Sequence, residues 1–200
     1  MLTTDCNTLH IHFTEESNFH NLFPHPIQKL DTLHWSPLPV TCKAVQFLVQ
    51  NEGVRILDIG SGVGKFCIAG AYFKPAARFY GVEQREDLVK QAMYVSNKLG
   101  LQNVHFLHNN FTQLDLKQYD HFYFYNSFFE NLPGSEKIDD SIAYSRELYD
   151  YYSRYLYKGL EGMPAGTRIV TYCSWGDEIP PSYKLVDVHL NGLLKCLIKT

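Results

Sequence analysis

Two hundred residues, 45% of them hydrophobic and 20% charged, can close a full core without disulfide or metal staples. A net charge of −3 argues against the basic surface with which nucleic-acid binders neutralise phosphates, so a nucleic-acid partner is not expected. No apolar run nears the roughly 20 residues of a membrane span, and MLTTDCNTLHIHF lacks the basic-then-apolar layout of a secretory signal, so a cytoplasmic location with no membrane partner is expected.

Along the chain, TLHIHF alternates like a short strand, and VTCKAVQFLVQ reads as a helix after the turn SPLP. From Val54 the rhythm becomes regular. VRILDI is an apolar strand, and VGKFCIAGAYF is helical until Lys74-Pro75. RFYGVE is a second strand, followed by REDLVKQAMYVSNKLG, which sets Leu88, Ala92, Val95 and Leu99 on one helical face with Gly100 at its end. NVHFLH and HFYFYN are a third and a fourth strand. Residues 135–163 carry Ile138, Ile142, Tyr149, Tyr152, Leu156 and Leu160 and predict one long helix, and TRIVTYC predicts a fifth strand. YKLVDVHLNGLLKCLIKT is two strands around Asn191-Gly192, a hairpin signal too close to strand five for a crossover helix.

Alternating strands and helices predict an α/β fold: a doubly wound, mostly parallel, seven-stranded Rossmann-like sheet ending in an antiparallel hairpin. The expected organisation is one domain over 1–200, with a cap segment at 1–53 and the core at 54–200. The five cysteines, Cys6, Cys42, Cys67, Cys173 and Cys196, are odd in number, far apart and without a CxxC pair, as expected of reduced, buried thiols. His10 and His12 have no third ligand nearby, and no metal is expected. Tyr144, Tyr149, Tyr151, Tyr152, Tyr155 and Tyr157 surround their helix, so most are read as surface or core rather than as an aromatic cage.

The stretch ILDIGSGVGKF holds the chemistry. A dinucleotide fingerprint would require glycine where Lys65 stands, and a phosphate loop would require glycine at Ile59 and a hydroxyl at Phe66. What remains is a DxGxGxG turn, Asp58 to Gly64. It resembles motif I of the class I, seven-strand S-adenosylmethionine-dependent methyltransferases, and the order of elements over roughly residues 34–200 agrees. A weaker resemblance, through GSGVGK, GVEQ, YNSFF and GTRIV, is to the non-SET histone lysine methyltransferases that disrupt telomeric silencing.

The resemblance implies S-adenosyl-L-methionine as cofactor, held by Asp58, Gly60, Ser61, Gly62 and Gly64. Glu83 and Gln84 follow at the end of strand two, the acid accepting from the ribose hydroxyls. Asn109, Asn110 and Phe111 lie where the family meets the adenine, with asparagine in place of its usual acid. Asn126, after strand four, matches the N/D-x-x-aromatic outline of amine methyltransferases. It is the expected catalytic residue, orienting an amine and also bordering the cofactor, with Trp35, Phe128 and Phe129 on the substrate side. The acceptor is expected to be an amine on a protein or a small molecule. The alternative is a regulatory protein that binds S-adenosylmethionine without turnover.

Overall fold

A computed structural model of the chain describes residues 10–200. After a helical turn at residues 10–12, the front of the chain carries α1 (Glu16–His20), α2 (His25–Gln28), α3 (Asp31–His34) and α4 (Leu38–Leu48). Then strands and helices alternate through β1 (Arg55–Ile59), α5 (Lys65–Phe73), β2 (Arg78–Glu83), α6 (Glu86–Lys98), β3 (Val104–His108) and β4 (His121–Phe124). The chain closes with α7 (Arg146–Glu161), β5 (Arg168–Tyr172), β6 (Tyr183–His189) and β7 (Leu194–Lys199).

The seven strands run in the order β3-β2-β1-β4-β5-β7-β6. β1 to β5 are mutually parallel, whereas β7 inserts antiparallel between β5 and β6. This is the expected sheet with its terminal hairpin. The order reverses at β1, where chain connections leave to opposite sides, and a crevice opens beyond the carboxyl ends of β1 and β4. Strand alternation divides the core. Leu57, Ile59, Phe122 and Phe124 face Tyr149, Tyr152, Leu156 and Leu160 of α7, whereas Ile56, Phe79 and Tyr123 face α4 and α5. A third cluster joins Phe13, Phe19, Leu22, Phe23, Trp35 and Leu38 from the front of the chain to Ile68, Leu88 and Val95 on α5 and α6.

Three expectations need correction. Residues 10–12 of the supposed TLHIHF strand are helical, and residues 8 and 9 lie outside the described residues. Phe13 explains the change: it stacks on Tyr72 of α5 at 4.0 Å, so the segment is shaped by an aromatic seat on a helix rather than by a strand partner.

The long helix expected over 135–163 forms only over Arg146–Glu161. Asp139 Oδ1 accepts the Ser141 N–H at 2.9 Å, closing a local turn that competes with helix, and Ser145 caps α7 by accepting the Leu148 N–H at 3.1 Å. The upstream residues become an irregular strap, in which Ile138 packs on the third cluster. Finally, the hairpin turn is longer than the two residues Asn191-Gly192, since Leu190, Asn191 and Gly192 all take positive φ, at 54°, 55° and 92°.

Candidate active site

The crevice holds a cavity of about 390 Å³, walled by residues from seven parts of the chain. Its floor is the loop after β1. Gly60 has a φ of +74° and faces Ser127 so closely that a Cβ would overlap it, while the Ser127 hydroxyl donates to the Ile59 carbonyl. Glycine is therefore required there both for conformation and for the approach of the loop after β4. Gly62, with φ +53°, has open space where a Cβ would project, on the cavity side.

Asp58 is 4% exposed, and its only hydrogen-bonding partner among the described residues is the Cys67 thiol, at 3.7 Å. Burial pushes its carboxyl up to about 8, and the nearby Glu83 charge adds to the rise. It is a buried acid with no ion-pair partner among the described residues. The Cys67 thiol is pushed up by the same burial and by Asp58.

Glu83 ends β2 at 6% exposure. One carboxylate oxygen accepts the Gly62 N–H at 3.1 Å, and the other accepts the Arg85 backbone N–H at 3.0 Å. These bonds aim the carboxylate along the floor and still leave lone pairs free for a ligand.

Opposite, Phe111 stacks on Phe128 with centroids 5.1 Å apart, and both rings line the cavity. Asn126 lines it too, with a left-handed φ of 40° that asparagine tolerates better than most residues. The amide type at this position thus has a backbone reason as well as a chemical one. Phe129 stands at the rim, 40% exposed.

Of the residues singled out from the sequence, Asp58, Gly60, Ser61, Gly62, Glu83, Gln84, Asn109, Phe111, Asn126, Trp35, Phe128 and Phe129 all line this one cavity. Gly64 and Asn110 do not. Gly64 sits behind the loop against the Phe106 ring. The side chain of Asn110 is engaged structurally: its oxygen accepts the Thr112 N–H at 3.0 Å, and its amide donates to Gln84 and the Tyr152 hydroxyl, both at 2.9 Å. Asn109, whose side-chain oxygen accepts the Asn110 N–H at 2.8 Å, is the asparagine of this stretch that lines the cavity.

The sequence did not mark Lys65 and Arg85, the two buried cations among the described residues. Lys65, 2% exposed, lies 2.5 Å from Glu16 and 3.7 Å from Asp31, with its ammonium 5.5 Å from the ring centroids of Phe19 and Trp35. Glu16, His20 and Asp31 have metal-ligating atoms within 4.8 Å of one another, and the Lys65 ammonium pairs with both carboxylates of that group.

Arg85 binds Glu130, Asp139, Tyr144 and Glu83. A signal for it did exist: arginine at the N-cap of α6 opposes the helix dipole and has no capping bond to offer. His34 also lines the cavity, and burial lowers its pKa in the face of Glu130 and Glu136.

A family model described as "Methyltransferase domain" matches residues 50–139. Over 54 residues the chain is 50% identical to a tRNA (guanine-N(7)-)-methyltransferase of Synechococcus sp. strain JA-3-3Ab, a stretch covering 27% of this chain and 23% of that protein. The chain thus aligns with about a quarter of the length of such curated relatives. An RNA methyltransferase from Salinibacter ruber, solved in complex with S-adenosyl-L-homocysteine, superposes with a TM-score of 0.58 at 22% identity, covering 82% of this chain and 92% of that one. A precorrin-6y C5,15-methyltransferase from Geobacter metallireducens superposes at 0.54 with 12% identity, covering 84% and 89%.

The cavity suits the cofactor of this fold on its own chemistry, because Asp58 is a buried acid lacking a cation, Glu83 has spare acceptor capacity and Phe111 offers an aromatic wall. Together, the sheet order, the glycine loop and the structural neighbours give this chain the class I, seven-strand methyltransferase fold.

Proposed function

We propose that this protein transfers a methyl group from S-adenosylmethionine to a nitrogen acceptor, an amine on a protein side chain or a small molecule. The observation that carries the reading is the convergence of Asp58, Glu83, Asn109, Phe111 and Asn126 on one cavity at the carboxyl ends of parallel strands. When bound, the cofactor supplies an activated methyl on a sulfonium, so the protein's task is chiefly alignment and exclusion of water.

Each residue then has a physical task. Asp58 offers a charge to the ligand's ammonium, and Glu83 accepts from its ribose hydroxyls. The Asn109 amide and the Phe111 ring provide an edge and a face for the adenine. Asn126 presents its amide oxygen to an incoming N–H and so directs the nitrogen lone pair into the cavity, while Phe128 and Phe129 flank the approach.

The charge of the walls favours a cationic or neutral acceptor over a phosphate. Beyond the acids given to the cofactor, Glu130 and Glu136 line the cavity against Lys65 and Arg85, and those two cations already pair with Glu16, Asp31, Glu83, Glu130 and Asp139.

A second reading, a ring nitrogen of a nucleic-acid base, draws on the relatives named as tRNA guanine-N7 and RNA methyltransferases. They weaken the expectation, drawn from net charge, that nucleic acid is not the acceptor. Binding without turnover is the third outcome.

Calorimetry with S-adenosyl-L-homocysteine, followed by methyl-labelled cofactor offered to protein, small-amine and RNA pools, tests the reading. Label on protein or small amines is expected. Asn126→Ala should lower turnover at least tenfold while changing S-adenosyl-L-homocysteine affinity less than twofold. Label mainly on RNA would replace the amine reading, and full turnover in that variant would remove the role of Asn126.

A further inference from the structure

The strap that walls one side of the cavity is held mainly from one point. Gly134, Ser135, Glu136, Ile138, Ile142, Ala143 and Tyr144 line the cavity, yet residues 132–145 form no helix or strand. Their polar anchorage converges on Arg85. Its guanidinium donates to Glu130 at 2.6 Å, to the Tyr144 hydroxyl at 2.6 Å and to Asp139 at 3.3 Å. The Glu130 oxygen that faces Arg85 also accepts the Ile138 N–H at 3.0 Å and lies 3.1 Å from the Tyr144 hydroxyl, which donates to the Asp139 carbonyl at 2.7 Å, so the middle and the far end of the strap meet at the same place.

Arg85 faces the other way as well. Its remaining guanidinium nitrogen lies 3.4 Å from the Glu83 oxygen that its backbone N–H also meets, at 3.0 Å. Three carboxylates therefore converge on one guanidinium that is 6% exposed. A planar fork can serve them together, while an ammonium on a flexible stem cannot reach the same set at once.

We propose that Arg85 is a positioning residue that couples the cofactor seat to the strap, steadying the Glu83 carboxylate with one edge and latching Glu130, Asp139 and Tyr144 with the others. This rests on Glu83 being the ribose acceptor. Because both attachments share one cation, the coupling is reciprocal: a ligand seated against Glu83 tightens the strap, and a loosened strap weakens the ligand by the same factor. Asp139, held below the usual carboxylate range by Ser141 and Arg85, stays charged through neutral pH and keeps its share of the latch.

The test combines hydrogen–deuterium exchange over residues 129–144 with calorimetric affinity for S-adenosyl-L-homocysteine, in wild type, Arg85→Lys and Glu130→Gln. Wild type should show at least tenfold slower strap exchange with the ligand than without it. Both variants should exchange faster in the strap without ligand and bind it at least fivefold more weakly, with exchange in β1 and β2 unchanged. A purely structural Arg85 would lower the melting temperature without a ligand-dependent change in the strap. Should Arg85→Lys fail to fold, Glu130→Gln decides alone. Ligand binding with unaltered strap exchange, or a freed strap with unaltered affinity, overturns the coupling and leaves the cofactor reading intact. No binding in wild type removes both.

Discussion

Two irregular regions flank the cavity, and each is fastened by a buried cation, but what lies behind the fastening differs. At the front of the chain, Lys65 holds Glu16 and Asp31, and beneath that group lie Phe13, Phe19, Leu22, Phe23, Trp35 and Leu38 packed on α5 and α6. On the far side, Arg85 holds Glu130, Asp139 and Tyr144, and the strap over 132–145 contributes partly buried Leu132 and Ile138 to the core clusters. Apolar burial is non-directional and scales with area, so the front segment is anchored over many contacts and survives the loss of any one ion pair. The strap has little such area and depends on a few directed bonds. One region reads as scaffold and the other as a hinged wall. Between them lies Asp58, the buried acid that neither cation serves.

The largest expected effect breaks the scaffold side. Trp35→Ala removes a ring that is 4% exposed and packs at 5.0 Å from Phe23, and should cost about 3–5 kcal/mol of unfolding free energy, read from urea denaturation. A loss below about 1 kcal/mol would mean the aromatic cluster is not what holds the front of the chain.

The second prediction concerns Asp58. Its folded-state pKa of about 8 lies above the ordinary value of 3.8, so between those values the folded protein retains a proton that the unfolded chain has released. Stability of the ligand-free protein therefore declines as pH rises through that window and levels off above about 8. A ligand ammonium prefers the ionised acid, so affinity for S-adenosyl-L-homocysteine should rise with pH up to the same point. The rise is at most about tenfold per pH unit, roughly 1.4 kcal/mol. Asp58→Asn should flatten both profiles, and a pH-dependence preserved in that variant would assign the titration elsewhere.

A smaller effect sharpens the contrast itself. Lys65→Met leaves Glu16 and Asp31 without their cation, but these carboxylates are 38% and 31% exposed and regain water. The expected cost is about 1–2 kcal/mol, below that of breaking a fully buried pair. Hydrogen exchange in α1 and α4 should stay protected in this variant. If the front segment instead opened as the strap is expected to open without Arg85, the two fastenings would be equivalent and the contrast would fail.

The parts of the fold legible in the sequence are those that local chemistry decides. β1 to β3 follow from short apolar runs, α6 from its 3.6-residue stripe, and the terminal hairpin from Asn-Gly between two apolar stretches. The glycine loop was legible for the same reason, since Gly60, Gly62 and Gly64 all take positive φ, at 74°, 53° and 77°. Where local signals compete, apolar spacing lost to side-chain capping. Ile138 and Ile142 lie at helical spacing from the later Tyr149 and Leu156, yet the Asp139 turn and the Ser145 cap end the helix before reaching them.

Asn110 shows the same limit at the site. As a residue type it suits an adenine amide contact, but its backbone position makes it a cap, and a side chain with both ends bonded has little left to offer a ligand. The ion pairs that wall the cavity are further still from local reading. Lys65 meets Glu16 across 49 positions, and Arg85 meets Glu130 across 45. No propensity or period links such residues along the chain. Sequence alone thus determined the strands, the terminal hairpin and the glycine floor, because backbone conformation and apolar periodicity are set by near neighbours. Only the tertiary structure decided which cations are buried, which carboxylates they hold and which acid is left without one, because pairing between distant charges depends on where the folded core brings them and how much water it removes.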